Sequence, residues 1–160
     1  MTTELLPPLQ DWDDAYANMA HIPGSDALPA LWADRAAAYR QSGVRIEIDI
    51  AYGARPRERL DLVWPEGAPA GLAVFVHGGY WIKLDKSYWT DLAEGARLRG
   101  WAVALPSYTL APEARIGAMS RQIARAVEVA AERVGGPIRL AGHSAGGHLA
   151  MRMICADDLL

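Results

Sequence analysis

The spacing of apolar residues changes near residue 44 and divides the chain there. Before that point Pro7, Pro8, Pro23, Gly24 and Pro29 punctuate the sequence. Only Ala30–Arg40, with Leu31, Trp32, Ala36 and Tyr39, has the spacing of a helix. Residues 1–43 are therefore expected to be a lead-in. From Val44 the pattern alternates, with Ile46, Ile48 and Ile50 on one face of one segment and Leu60, Leu62 and Trp64 on one face of the next. The turn-compatible Gly53–Pro56 between them predicts an antiparallel pair. Leu72–Val76 and Trp101–Leu105 are short apolar runs of the kind found in strands buried on both faces, and Ile138–Ala141 reads as the next strand. Helical spacing fills the gaps. Ser87–Arg99 puts Trp89, Leu92, Ala93 and Ala96 on one stripe, with Asp85 or Ser87 as cap and Gly100 as stop. Ile116–Val134 carries Ile116, Met119, Ile123, Val127, Ala130 and Val134 on another stripe, closed by Gly135-Gly136. A last helix is expected over Ser144–Cys155. Strands alternating with helices after residue 72 predict an α/β fold whose sheet is mostly parallel, with flanking helices and right-handed crossovers.

Composition narrows the partners. A chain of 160 residues, 51% of them hydrophobic, can build one real core, and no internal repeat competes with that reading. The net charge of -3, with lysine only at Lys83 and Lys86 and arginines scattered, argues against nucleic acid, which requires massed cations. No apolar run approaches the roughly 18 residues of a membrane span. Met1–Asp14 lacks the basic and apolar regions of a signal peptide, so a cytoplasmic protein with a small-molecule substrate is expected. The single cysteine, Cys155, cannot form an internal disulfide and reads as a small hydrophobe of the last helix.

Two glycine-rich motifs carry the chemistry. Gly142-His143-Ser144-Ala145-Gly146 follows a strand and opens a helix, the setting of a serine nucleophile on a strained elbow. His77-Gly78-Gly79-Tyr80-Trp81 follows the Leu72–Val76 strand about 65 residues earlier. Acyl transfer builds negative charge on a carbonyl oxygen, and preorganised donors aimed at that oxygen are usually the largest catalytic contribution. At an elbow serine one donor is the N–H of the following residue, here Ala145, and the other comes from the loop after an earlier strand, here Gly79 or Tyr80. Each motif alone is weak; together, each at a strand end, they point to a serine hydrolase.

At these residues the chain resembles the α/β-hydrolase superfamily, and within it the kynurenine formamidase (arylformamidase) and carboxylesterase branch with its H-G-G-x-W motif. The matching positions are His77, Gly78, Gly79 and Trp81, then Asp85-Lys86-Ser87, Tyr108–Glu113 and Gly142–His148, with Ala51-Tyr52-Gly53 and Leu60-Asp61-Leu62 fitting the opening hairpin. The resemblance implies a serine nucleophile at Ser144, an oxyanion hole from Gly79, Tyr80 and Ala145, and hydrolysis of N-formylkynurenine or small aryl esters and amides without metal or organic cofactor. It runs from about Ile48 to the end of the chain and more loosely through the lead-in, so residues 44–160 are expected to be the N-terminal part of that fold. In the fold the triad runs Ser, then Asp or Glu, then His, whereas Ser144 is followed only by His148, Asp157 and Asp158. The expectation is a chain that stops after the nucleophile helix, without the last strands, the acid or the base, and is nearly inert alone.

Blander readings stand beside these. Ser144 could be a plain helix cap. His77, His143 and His148 lack the spacing of metal ligands and read as structural, and His21 reads as a surface residue of the lead-in. Tyr80 and Trp81 either line an aromatic substrate pocket or pack as core. Trp89 reads as core and Glu113 as a turn or cap residue. The alternative to an enzyme is a non-catalytic remnant or binding domain of the same ancestry. An uncovered sheet edge at Ile138–Ala141 predicts association or homo-oligomers.

Overall fold

The computed structural model describes residues 11–155. Pro7, Pro8, Asp157 and Asp158 lie outside the described residues. The lead-in holds a short helix α1 (Trp12–Tyr16) and a longer α2 (Leu28–Arg40), joined by two 3-10 turns. Five strands follow: β1 (Ile46–Ala51), β2 (Arg59–Val63), β3 (Leu72–Val76), β4 (Ala102–Pro106) and β5 (Ile138–Gly142). Helices α3 (Glu94–Arg97), α4 (Ile116–Val134) and α5 (Ala145–Arg152) complete the order. The sheet order is β1-β2-β4-β3-β5. The β1–β2 and β2–β4 pairs are antiparallel, while β3 lies parallel to both β4 and β5. The expected α/β sheet with an antiparallel opening pair is observed as a mixed sheet, parallel at β4-β3-β5 and antiparallel also at β2–β4, and β5 lies at its edge among the described residues. None of the described helices is long and apolar enough to cross a membrane.

Both faces of the sheet carry core. Leu60, Leu62, Leu72, Val74 and Val76 pack on one side against Met119, Ile123, Ala126 and Ala130 of α4, the stripe its spacing predicts. On the other side Val63, Val103 and Leu105 meet Trp89 and Ala93, with Trp32 and Tyr39 of α2 laid over them. Gly135 ends α4 with a φ of 71°, a left-handed conformation suited to glycine.

Three expectations are corrected. The alternation of β1 breaks at Ile48, which is exposed, because the register shifts between Glu47 and Ile50. The cause is the buried Asp61 carboxylate, which accepts the Asp49 N–H at 2.9 Å and the Lys86 ammonium at 2.7 Å. Asp49 takes a φ of 59° to reach it. The single helix over Ser87–Arg99 is instead two 3-10 turns (Lys86–Tyr88 and Thr90–Ala93) followed by α3, and Leu92 is exposed. Of the two expected caps it is Asp85 that serves, its carboxylate accepting the Ser87 N–H at 2.7 Å. However, Arg40 of α2 takes the Ser87 carbonyl at 2.7 Å and the Thr90 hydroxyl at 2.8 Å, and Trp89 leaves helical geometry with φ -130° and ψ 8°. Finally, α5 stops at Arg152, so Cys155 lies beyond it and is exposed.

Candidate active site

The chain turns from β5 into α5 at Ser144, which has φ 53° and ψ -118°. A non-glycine residue held there costs of order 1–3 kcal/mol, so the surrounding packing must enforce it. It does. A Cβ added to Gly146 would lie 2.1 Å from the Val76 carbonyl oxygen, so only glycine lets α5 start this close to β3. The His143 N–H donates to that same carbonyl at 3.1 Å. Ser144 makes no side-chain cap bond to α5 and is exposed. That removes the bland reading of the serine as a hydroxyl cap.

The second motif sits directly against the first. A Cβ on Gly78 would come within 2.7 Å of the His143 carbonyl oxygen and 3.2 Å of Ser144 Cβ. Beyond it the Gly79 carbonyl accepts N–H groups of Ile82 and Lys83, each at 3.0 Å, and closes a tight turn. Tyr80 and Trp81 take φ values of 53° and 59° within that turn. Among the described residues neither the Gly79 nor the Tyr80 N–H is spent on another protein group. Ala145 is the first residue of α5, where an N–H has no intrahelical acceptor.

His77 is buried and serves the scaffold. Its ring stacks on Tyr108 with centroids 4.4 Å apart, and its Nδ1 lies 2.7 Å from the Gly78 carbonyl oxygen. With Nδ1–H donated there, Nε2 is buried without a partner. Burial pushes the His77 pKa down to about 4, with nearby Arg57 acting in the same direction, so the ring is neutral near pH 7. Tyr108 donates its hydroxyl to the His77 carbonyl at 3.0 Å. Arg57 clamps the Tyr108 and Leu84 carbonyls at 2.7 and 2.6 Å, tying the β1–β2 hairpin to the loop. Nothing in the spacing of Arg57 announces that role.

In front of Ser144 lies a cavity of about 240 Å³. Gly79, Tyr80, His143 and Trp89 line one side, and Met19, Ile22, Leu28 and Trp32 of the lead-in line the other. Trp32 and Trp89 pack with ring centroids 4.9 Å apart, and His143 lies 5.9 Å from Trp89. Trp89 is thus both core and pocket wall. Sequence reasoning missed the lead-in side of this cavity; its only signal was Trp32 beside Leu31 in the predicted helix. Trp81 lines a separate depression with Pro112 and Met119, and its ring meets His148 edge-on at 5.4 Å. His148 sits one turn into α5, where its N–H donates to the Ser144 carbonyl at 3.1 Å. Glu113 is an exposed turn residue, and His21 is an exposed partner of Asp14 at 3.2 Å. Among the described residues no three His, Cys, Asp or Glu side chains gather as metal ligands.

Known proteins resemble this chain in sequence and fold. A family model for the alpha/beta hydrolase fold matches residues 73–158. Kynurenine formamidase of Danio rerio is 32% identical over 114 residues, covering 69% of this chain and 39% of the relative. A probable isoprenylcysteine alpha-carbonyl methylesterase of Oryza sativa is 34% identical over 109 residues, 63% of this chain and 26% of that protein. Among solved structures, a candidate thioesterase from a Silicibacter species is 52% identical with a TM-score of 0.88, covering 91% of this chain and 56% of its own. The Pyrobaculum calidifontis esterase, at 24% identity and a TM-score of 0.61, shares the fold. This chain therefore spans less than two thirds of the length of each relative. The match over the elbow, the preceding glycine loop and the strands that carry them shows that this chain belongs to the α/β-hydrolase fold family.

Proposed function

We propose that the protein is a serine hydrolase of the arylformamidase or carboxylesterase type, acting on small aryl amides or esters, and that this chain supplies its nucleophile and oxyanion hole. The observation that carries the reading is Ser144 held at φ 53° with Gly78 packed against it. In the reaction Ser144 Oγ attacks the acyl carbon as a base removes its proton. The carbonyl oxygen takes up the negative charge and receives the Ala145 N–H together with that of Gly79 or Tyr80. Collapse expels the amine or alcohol, which takes the proton back from the base. Water then cleaves the acyl–Ser144 ester by the reverse sequence. Loss of one oxyanion donor typically costs about 10²–10³ in rate.

We place the base outside the described residues. His77 is sealed against Tyr108, His143 faces Trp89, and His148 lies against Trp81. This segment on its own is accordingly expected to be nearly inert. A second reading, thioester cleavage by the same serine, is favoured by the 52% identity to the Silicibacter protein. The test is Ser144→Ala in the full-length protein, assayed on phenyl acetate, an aryl formamide and an acyl thioester. Turnover of the true class should fall by about 10⁴–10⁶ with little change in melting temperature. Retention of wild-type turnover by the variant on all three would sink the reading.

A further inference from the structure

The cavity at Ser144 has one wall that no part of the catalytic reading uses. Met19, Ile22 and Trp32 come from the lead-in, while the opposite wall comes from the strand-end loops. The lead-in reaches this position through a specific tether. Tyr80, whose backbone belongs to the glycine loop, donates its hydroxyl to the Tyr16 carbonyl at 2.7 Å and also meets the Asn18 side-chain oxygen. Within the lead-in, the buried Ser25 donates its hydroxyl to the Met19 carbonyl at 2.6 Å, which fixes the turn that carries Met19. The Lys83 ammonium lies over the Tyr80 ring, 5.7 Å from its centroid. Tyr80 is thus bound at its backbone to one side of the cavity and at its hydroxyl to the other.

The size and lining of the cavity state what it takes. A volume of about 240 Å³ is roughly eight water volumes at about 30 Å³ each, the room of a small aromatic group. The tilted Trp32–Trp89 pair and the Tyr80 ring offer flat apolar faces, which suit a planar ring. One or two fused rings fit this space, and a four-ring system such as pyrenyl exceeds it while Met19 stays in place.

Building on the serine hydrolase reading, we infer that Met19 and Ile22 are the size-selecting residues of the Ser144 pocket, that the pocket takes a flat aryl group no larger than two fused rings, and that the Tyr80 hydroxyl is the positioning group that holds this wall closed. Catalysis and selectivity then come from different stretches of the chain. The strand-end loops supply the serine and the donors, and the lead-in sets the aryl group that fits beside them.

The experiment uses the full-length protein and two phosphonate probes that differ only in their aryl group, phenyl or 1-pyrenyl, with labelling of Ser144 followed by mass spectrometry. Wild type should label faster with the phenyl probe. Met19→Ala should raise the pyrenyl-to-phenyl rate ratio about tenfold, since removed methylenes in a fitted apolar pocket are worth about 10–200-fold in discrimination. Tyr80→Phe retains the loop backbone and should move the ratio the same way by several-fold, whatever it does to either rate alone. A purely structural role for Tyr80 would change both rates together and leave the ratio fixed. Should Ser144 be labelled in all three proteins at an unchanged ratio, the pocket inference falls while the nucleophile stands. A change with Met19→Ala alone removes Tyr80 as the positioning group. Absence of Ser144 labelling by either probe in wild type overturns the nucleophile reading, and the pocket inference with it.

Discussion

Two regions meet at Ser144, and different physics holds each in place. On the sheet side, backbone lies on backbone: an atom added to Gly146 would sit 2.1 Å from the Val76 carbonyl oxygen. On the lead-in side, side chains reach across. Tyr80 holds the Tyr16 carbonyl, Arg35 of α2 holds Asp91, and Arg40 holds Ser87 and Thr90. Backbone packing admits no extra atom, because interiors are close-packed and peptide groups cannot rotate away. Side-chain tethers give by changing rotamer. The region built the first way can hold a strained serine, and the region built the second way can vary the pocket without disturbing it.

Ion pairs sharpen the contrast. Lys86 on the sheet side pairs with Asp61, and their side chains are only 10% and 2% exposed. Lys86→Met would strand the Asp61 carboxylate in the core. The full-length protein should lose about 3–5 kcal/mol in a denaturant titration, enough to unfold many domains.

His77 offers a pH route into the same region. Its pKa of about 4 in the fold lies below the ordinary 6.5, so the unfolded chain binds the proton first as pH falls. Its contribution is complete above pH 6.5 and is lost as pH falls through about 4, on the order of 3 kcal/mol in all. Melting temperature measured from pH 7 to pH 4 should fall more gently in His77→Gln than in wild type. Equal slopes would show that the ring does not carry the acid sensitivity.

The smallest effect belongs to the lead-in. Arg35 bonds Asp91 at 2.7 Å, yet its side chain is 49% exposed. Arg35→Ala should cost no more than about 1 kcal/mol. Phosphonate labelling of Ser144 should keep its wild-type rate with the phenyl probe. A loss as large as that of Lys86→Met would erase the distinction between the two regions.

Legibility in the sequence follows the same division. The stripe of α4 and the buried strands β3 and β4 were readable because burial imposes a period. The elbow and the His77–Trp81 loop were readable because close approach demands glycine at fixed places. The break in the predicted helix after Asp85 was not readable, since Arg40 competes for the Ser87 carbonyl from 47 positions away. The exposure of Ile48 was equally hidden. Its alternation is sound as a local pattern, but Asp61 draws the Asp49 N–H inward and shifts the register.

The sequence by itself determined that this chain has an α/β architecture with a strand-to-helix serine at Ser144 and a glycine loop after β3. Local rules suffice there, because period and glycine placement are written in neighbouring residues. Only the tertiary structure decided that the loop touches the serine, that His77 is a neutral scaffold residue, and that the lead-in walls the pocket. Those outcomes depend on which distant side chains and carbonyls compete for the same partner, and a linear pattern does not record that competition.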